Sequence, residues 1–211
     1  MLSDRYFRGP TGRGFITGNP DLDPETSLQL DGGVRWGAGR WRAELHGYQY
    51  RFDELIERYQ TDPDSFLFRN RGRARIRGIE LEVRSEAGAG WSLALAGHVI
   101  RGEALDDDTS LRLDDVPPDT LTLEVRRVLG SRGFAQARGS LYAADDRPGP
   151  TEQARAAYGV LDLSGGFRVA KPVEMRLLLR NLLDASYLVS PDARAVLAPG
   201  RSLLVTATVD F

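Results

Sequence analysis

The chain has 211 residues, enough for one domain, with 41% hydrophobic and 27% charged residues and a net charge of −2. This balance excludes the strongly basic surface of a dedicated nucleic-acid-binding protein, so no nucleic-acid partner is expected. The absence of cysteine excludes disulfides, thiolate metal sites and a cysteine nucleophile. No apolar run approaches the ~18 residues of a membrane-spanning helix.

The chain begins with a segment unlike the rest of the sequence. Residues Met1–Pro10 have no apolar stretch after a basic one, so they do not resemble a secretory signal. Residues 1–25 as a whole are expected to form a loop before the first regular strand. Residues 26–211 are expected to form strands and the links between them.

Apolar and polar residues alternate from about residue 26 to the end of the chain. This period of two is typical of strands with one apolar and one polar face, and it predicts nine of them. They lie at residues 28–36, 41–52, 79–84, 91–99, 121–126, 135–143, 161–169, 173–180 and 203–211. The alternation changes phase near Gly47 and Gly78, so a β-bulge is expected at each glycine.

The links between the predicted strands alternate between short and long. The short turns are Gly37–Arg40, Ala87–Gly90, Gly130–Gly133 and Ala170–Pro172. The long links are Asp53–Ser65, Glu103–Asp115, Asp145–Arg155 and Ala185–Pro199, and a helical turn is expected at Asp53–Gln60. Strict alternation predicts an antiparallel up-and-down meander whose two ends differ, as in bacterial outer-membrane barrels.

The two faces of the predicted strands indicate a membrane barrel segment. The polar face mixes both charge signs, which suits a water-filled lumen, and Trp36, Trp41 and Trp91 flank short turns, where an aromatic girdle is expected. We therefore predict an all-β, open, partial barrel with two unpaired edges. Six leucines are expected on its convex face: Leu28, Leu81, Leu93, Leu123, Leu163 and Leu177.

Four stretches, at residues 18–26, 70–82, 180–187 and 199–202, resemble segments of TonB-dependent outer-membrane receptors. Residues Gly18–Thr26 (GNPDLDPET) are similar to the GNPxLxPE signature of that family, and Asn70–Glu82 (NRGRARIRGIELE) resembles one of its barrel strands. Arg180–Tyr187 (RNLLDASY) and Pro199–Ser202 (PGRS) resemble the segments around its closing strand. The motif residues are Gly18, Asn19, Pro20, Leu22, Pro24, Glu25, Asn181 and Tyr187.

The resemblance implies the C-terminal barrel portion of such a receptor, located in the cell outer membrane among its lipids. The implied function is uptake, energised by TonB, of a siderophore-like metal chelate or a cobalamin-like nutrient. The plug and the TonB-contacting segment of the family have no counterpart in the sequence, so the chain alone is expected to be inactive. TonB is expected to act only through that missing plug region.

The last predicted strand ends on Phe211. An amphipathic final strand with a terminal aromatic residue offers an unpaired edge and an apolar face. Phe211 is therefore expected to be the signal that the barrel assembly machinery recognises.

Arginine and aromatic residues in two stretches of the sequence, the N-terminal loop and the Asp53–Asn70 region, suggest a ligand-contacting region. Arginine forks and aromatic faces suit an anionic, partly aromatic metal chelate. The candidates are Arg8, Arg13, Arg58, Tyr59, Phe66, Phe68 and Arg69, and the alternative is that they are ordinary residues of the barrel rim.

No catalytic residue, metal site or cofactor is predicted, and the chain is not expected to be an enzyme. Asp21, Asp23 and Glu25 are spaced like oxygen ligands, but Pro20 and Pro24 favour a rigid loop. His46 and His98 are expected to form hydrogen bonds in the lumen. Two other functions remain open: a small autonomous porin or structural barrel with a tenth strand from residues 1–25, and a soluble β-sandwich binding module.

Overall fold

The computed structural model describes residues 2–12, 14–105, 110–192 and 194–209. Arg13 and Phe211, predicted to contact ligand and to direct assembly, lie outside these residues. The elements are α1 Leu2–Tyr6, β1 Arg8–Thr11, β2 Gly14–Thr17, β3 Thr26–Ala38, β4 Trp41–Asp53, β5 Ile56–Asp62, β6 Ser65–Asn70, β7 Ala74–Gly88, β8 Trp91–Leu105, β9 Ser110–Arg112, β10 Thr120–Leu129, β11 Gly133–Tyr142, β12 Tyr158–Ala170, β13 Val173–Arg180 and β14 Ser202–Val209. Within the described part of the chain, no helix is long and apolar enough to cross a membrane.

Nine strands form one antiparallel sheet in the order β3-β4-β7-β8-β10-β11-β12-β13-β14, and the short β9 pairs with β8. The predicted meander and its four short turns are thus confirmed. Strands β7 and β8 have 15 residues each, well beyond the five or six usual for a globular strand. The sheet does not close on itself over the described residues, and β3 and β14 are its two edges.

A second, four-stranded sheet has the order β1-β2-β6-β5, with β2 and β6 parallel. Three expectations were therefore wrong: residues 1–25 are not all loop, they supply no tenth strand to the main sheet, and Asp53–Gln60 has no helical turn. The segment from residue 56 forms β5 because it pairs with the Phe-rich β6, and this tertiary pairing overrides local helix propensity.

The register of the main sheet runs unbroken through Gly47 and Gly78, so the two predicted bulges were also wrong. Tyr48 and Tyr50 stay on the same face as His46, and their rings stack with centroids 5.0 Å apart. Gly78 faces Tyr48, and a Cβ atom built there would lie 2.5 Å from the Tyr48 ring. Glycine at 78 makes room for the ring, which is why a glycine appears without a bulge.

The pairing register places the six predicted leucines on one face of the sheet, here called the outer face. This face is open: Leu28 is 59% exposed and Leu123 is 47% exposed. A β-sandwich would bury these residues against a facing sheet. The soluble sandwich is therefore wrong for this chain.

The outer face carries an apolar belt that begins at the short turns. Trp36, Trp41 and Trp91 mark its lower edge, and the Arg127 guanidinium lies 4.9 Å from the centre of the Trp91 ring. On β8 the belt runs from Trp91 to Val99, just below Arg101. At ~3.3 Å per residue and a tilt of ~40°, the span from Trp91 to Arg101 is ~25 Å high, the height of the apolar band of outer-membrane barrels.

The opposite, inner face is charged. Arg35 Nε lies 3.1 Å from Glu44 Oε1 on the neighbouring strand, and His46 Nε2 lies 3.6 Å from Asp31 Oδ2. Other pairs, such as Arg176 with Glu174, run along one strand. These contacts confirm that both charge signs share this face, with pairing along strands as well as across them.

The segment between β13 and β14 is held by Asn181, which is 3% exposed and adopts a left-handed φ of 49°. Its side-chain amide accepts a hydrogen bond from Ala185 N at 2.8 Å and donates one to Ala185 O at 2.9 Å. Asp184 Oδ1 accepts a bond from Arg201 N, which joins this turn to the start of β14. These hydrogen bonds of Asn181 and Asp184 fix where β14 enters the sheet.

Leu123→Arg is predicted to lower the free energy of unfolding by about 2–4 kcal/mol in lipid vesicles, because position 123 lies near the middle of the apolar belt. Thr122→Arg, one residue along on the inner face, is expected to cost only about 1 kcal/mol through the lost bond to Ser140. Denaturant titration of the whole membrane-inserted protein measures both. Equal costs would contradict the assignment of the two faces.

Asn181→Ala is predicted to destabilise the protein by about 2–4 kcal/mol, because it removes buried hydrogen bonds and leaves a left-handed backbone without a favourable residue. Asn181→Gly is the matched control: it loses the same bonds but adopts the backbone freely, so its cost is expected to be smaller. The same titration compares them, and losses below about 1 kcal/mol for both would contradict the structural role.

Candidate ligand-binding site

The GNPDLDPE segment packs against the β5–β6 hairpin. Leu22 is buried, and Gly18 lies so close to the backbone of α1 that a Cβ would be 2.6 Å from the Arg5 carbonyl carbon. Pro20 and Pro24 restrict the backbone on either side of Leu22. These residues therefore have a packing role at this position.

Polar residues of the same segment hold the hairpin in place. Asn19 Nδ2 donates a hydrogen bond to Phe68 O at 3.1 Å, and Glu25 Oε2 accepts one from Ile56 N at 2.9 Å. Asn70 also links the segment to the hairpin. Its Nδ2 donates hydrogen bonds to Glu54 O and Asp23 O, and its Oδ1 accepts one from Asp23 N. Glu25 thus binds backbone, and over the described residues no group of three or more acidic or histidine side chains could hold a metal ion.

The Arg180–Tyr187 motif also has a packing role, through Tyr187 at the inner face of the main sheet. The Tyr187 ring stacks on Tyr158 at 4.4 Å between centroids, and Tyr158 stacks on Tyr142 at 4.5 Å. Tyr187 O also accepts a hydrogen bond from Ala198 N at 2.8 Å. The motif therefore connects the last long link to strands β11 and β12 through three stacked rings.

The hairpin divides the predicted ligand residues between its two faces. Arg58, Phe66 and Phe68 lie on one face, since Arg58 pairs with Phe68 and Gln60 with Phe66. Tyr59 and Arg69 lie on the other. Arg8 shares a register row with Tyr59 through Thr17 and Leu67, but three strand spacings separate them, or ~14 Å. The six described candidates therefore do not form one site.

Arg58 is the candidate with unused hydrogen-bonding capacity. Its guanidinium lies 5.2 Å from the centre of the Phe66 ring, at cation–π distance. Its Nε is buried and has no hydrogen-bond partner among the described residues. A buried donor without a partner costs free energy, so this group gains from an added acceptor.

Arg69 is already engaged. It lies 4.5 Å from the centre of the Tyr59 ring and forms an ion pair with Glu57 at 2.6 Å. Arg71 also binds Glu57 at 2.6 Å, so one carboxylate serves two guanidinium groups. The sequence alone did not identify Glu57 or Arg71 as candidate residues, because their pairing depends on the β5–β6 register.

A cleft of about 280 Å³ runs beside β5, and residues from both faces of the β5–β6 hairpin line it. Its walls include Arg58, Arg69 and Arg71 on the hairpin side and Asp114 and Thr151 on the loop side. Asp114 is satisfied by the backbone N and the hydroxyl of Thr151, at 3.1 and 2.8 Å. The lining includes three arginines and two acidic residues, Glu57 and Asp114, a net positive charge that favours an anion. The Arg58 guanidinium itself lies over the Phe66 ring.

Two further, larger clefts lie on the inner face of the main sheet. One of about 600 Å³ contains Arg42, Arg84 and Arg138, and the other, of about 580 Å³, contains both histidines. His98 Nε2 lies 3.1 Å from Pro118 O, which confirms hydrogen bonding of this histidine on the inner face.

Curated relatives match this chain along most of its length. The chain is 24% identical over 223 residues to the vitamin B12 transporter BtuB of Vibrio vulnificus, covering 97% of this chain and 33% of that protein. It is 24% identical to the catecholate siderophore receptor Fiu of Escherichia coli (95% and 28%) and 26% identical to the pesticin receptor of Yersinia pestis (96% and 32%). The chain therefore spans about a third of the length of these relatives.

Solved structures share the fold. The copper transporter OprC superposes with a TM-score of 0.79 at 22% identity, over 97% of this chain and 34% of that one. The ferric yersiniabactin uptake receptor FyuA of Yersinia pestis gives 0.72 at 23% identity, over 89% and 30%. The family described as TonB dependent receptor-like, beta-barrel, matches residues 2–182. The chain belongs to this family.

Proposed function

We propose that the chain is part of the barrel of an outer-membrane receptor that takes up an anionic metal chelate, with energy delivered by TonB. The supporting observation for the membrane location is the exposed apolar belt of the outer face, bounded by tryptophans below and arginines above. Exposed apolar area of this extent is unfavourable in water and suits lipid. The long links then lie at the extracellular end and the short turns at the periplasmic end.

The cleft beside β5 supports an anionic ligand. It lies among the long links, its lining has a net positive charge, and the Arg58 guanidinium lies over the Phe66 ring, with a buried Nε that has no hydrogen-bond partner among the described residues. Guanidinium groups bind carboxylate and phenolate oxygens by charge-assisted hydrogen bonds, and aromatic rings pack on a planar chelator. A siderophore-like chelate fits these features. A cobalamin-like nutrient is the second candidate, favoured by the match to a vitamin B12 transporter.

TonB and a plug are the further partners in this proposal. The sheet is open over the described residues, so by itself it cannot enclose a channel. The charged inner face offers a surface for a plug, through which TonB would act. Residues 1–211 alone are accordingly proposed not to transport. The barrel assembly machinery is proposed to recognise the last strand, with Phe211 at its end.

Arg58→Gln is the test of ligand binding. In the whole receptor, this change is expected to weaken binding of a ferric catecholate chelate about tenfold, because it removes one charge-assisted contact. Arg8→Gln removes the same charge from the far strand of the small sheet and is expected to leave the affinity unchanged. Equilibrium binding to whole cells gives both values.

Two outcomes would redirect the proposal. Unchanged chelate affinity in Arg58→Gln would show that the cleft is not the binding site. Binding of cyanocobalamin, with no binding of the ferric chelate, would favour the cobalamin-like nutrient instead.

A further inference from the structure

A cluster of apolar side chains is buried against the inner face, at the end of the main sheet that carries the long links. We call it the anchor cluster: Ala74, Ala104, Leu113 and Val116 are buried, and Phe52, Leu55, Ile76 and Ile100 pack against them. Four of the six buried apolar residues in the described part of the chain belong to it. Leu55, Leu113 and Val116 come from links between strands, so the cluster fastens two links to the sheet.

Gly102 provides the space into which the link between β9 and β10 fits. It pairs with Ile76 in the register, which places it on the inner face. A Cβ atom at 102 would lie 2.6 Å from Val116 Cγ2, and Leu113 N donates a hydrogen bond to Gly102 O at 3.1 Å. Because valine is branched at Cβ and stiff at χ1, a side chain at 102 displaces the backbone of the link as well as the Val116 side chain.

The same link forms one wall of the cleft beside β5. Asp114, which lines the cleft, lies in the chain between the anchored residues Leu113 and Val116. Its carboxylate holds Thr151, the next part of this wall, through the two hydrogen bonds described above. Asp115 N donates a further bond to Glu152 Oε1 at 2.7 Å. The place of Val116 over Gly102 therefore determines where the loop-side wall stands.

The hairpin-side wall starts from the same cluster. Leu55 packs against the cluster and directly precedes β5, the strand that carries Arg58. Leu55 N donates a hydrogen bond to Gly72 O at 2.9 Å, and Leu55 O accepts one from Arg71 N at 2.8 Å. Arg71 also lines the cleft. Both walls are therefore fixed to one set of packed side chains, none of which is itself part of the cleft lining.

We propose that the anchor cluster positions the two walls of the ligand cleft, and that the fit of Val116 over Gly102 sets the affinity for the chelate. This inference rests on the proposed function and deepens it. A binding site keeps its contacts only while its groups stay within a fraction of an ångström of the productive geometry, and packed supporting side chains provide that precision. Gly102 and Val116 are positioning residues, since they act through Asp114 and not on the ligand.

Gly102→Ala is the test of this positioning role in the whole receptor. It is expected to weaken binding of a ferric catecholate chelate about tenfold, because the new Cβ pushes the link and Asp114 out of place. Adding Val116→Ala removes the opposing Cγ2 and is expected to restore the affinity to within about twofold of wild type. Gly37→Ala is the matched control on the inner face, where a Cβ meets only Trp41 O at 3.7 Å.

A second measurement needs no ligand. Residues 1–211 contain no cysteine, so Gln60→Cys and Pro150→Cys place one spin label on each wall of the cleft, once any cysteines elsewhere in the whole protein are replaced. Pulsed electron paramagnetic resonance then gives the distance between the walls. Gly102→Ala is expected to shift or broaden the distance distribution, and Val116→Ala alone to broaden it through lost packing. Gly37→Ala and the double change are expected to match wild type.

The two measurements separate this inference from the proposed function. Distances unchanged in both Gly102→Ala and Val116→Ala would overturn the positioning role, whether or not a chelate binds. Changed distances with full chelate affinity would overturn it as well, and so would a double change that fails to restore the affinity. A wild-type receptor that binds no ferric chelate, in a protein whose distances respond as expected, would overturn the proposed ligand alone.

Discussion

The antiparallel backbone hydrogen-bond ladder of the main sheet is the constraint on which the other features depend. Because the side-chain period of a strand is two, one register slip would move an entire strand's apolar residues to the charged side. The described pairs of the main sheet, from β3 to β14, keep the same parity along their length, including through the mid-strand glycines. Its register shifts at only two described places, both beside short turns: between Glu86 and Gly88 and between Arg168 and Ala170. The apolar belt of the outer face and the charged inner face both follow from that shared parity.

Alternation and link length allowed most of the main sheet to be predicted, because both are local properties of the sequence. The errors came from non-local effects. Gly78 was interpreted as a bulge because a phase change and a glycine coincided, whereas the glycine accommodates a ring on the adjacent strand. Strand β5 was interpreted as a helical turn because its partner β6, and the parallel contact of β6 with β2, cannot be seen from its own residues.

The candidate site was predictable only in its composition. Arginine and aromatic residues near Arg58 indicated an anion-binding region, but their division between two faces depends on register. Glu57 and Asp114 could not be identified from sequence, since the first acts by pairing two arginines and the second lies in a loop brought near by the fold. The family motifs proved informative in a different way, because Asn19, Glu25 and Asn181 bind backbone atoms and position the chain.

The contact between Tyr48 and Gly78 has an evolutionary consequence. Any side chain at 78 must displace the ring at 48, and that ring also contacts His46 and Tyr50 along β4. A larger residue at 78 therefore requires the Tyr48 ring to move or to be replaced. The two positions are therefore expected to covary among homologues, although 30 residues separate them. In such a paired change, a smaller residue at 48 would precede the replacement of Gly78.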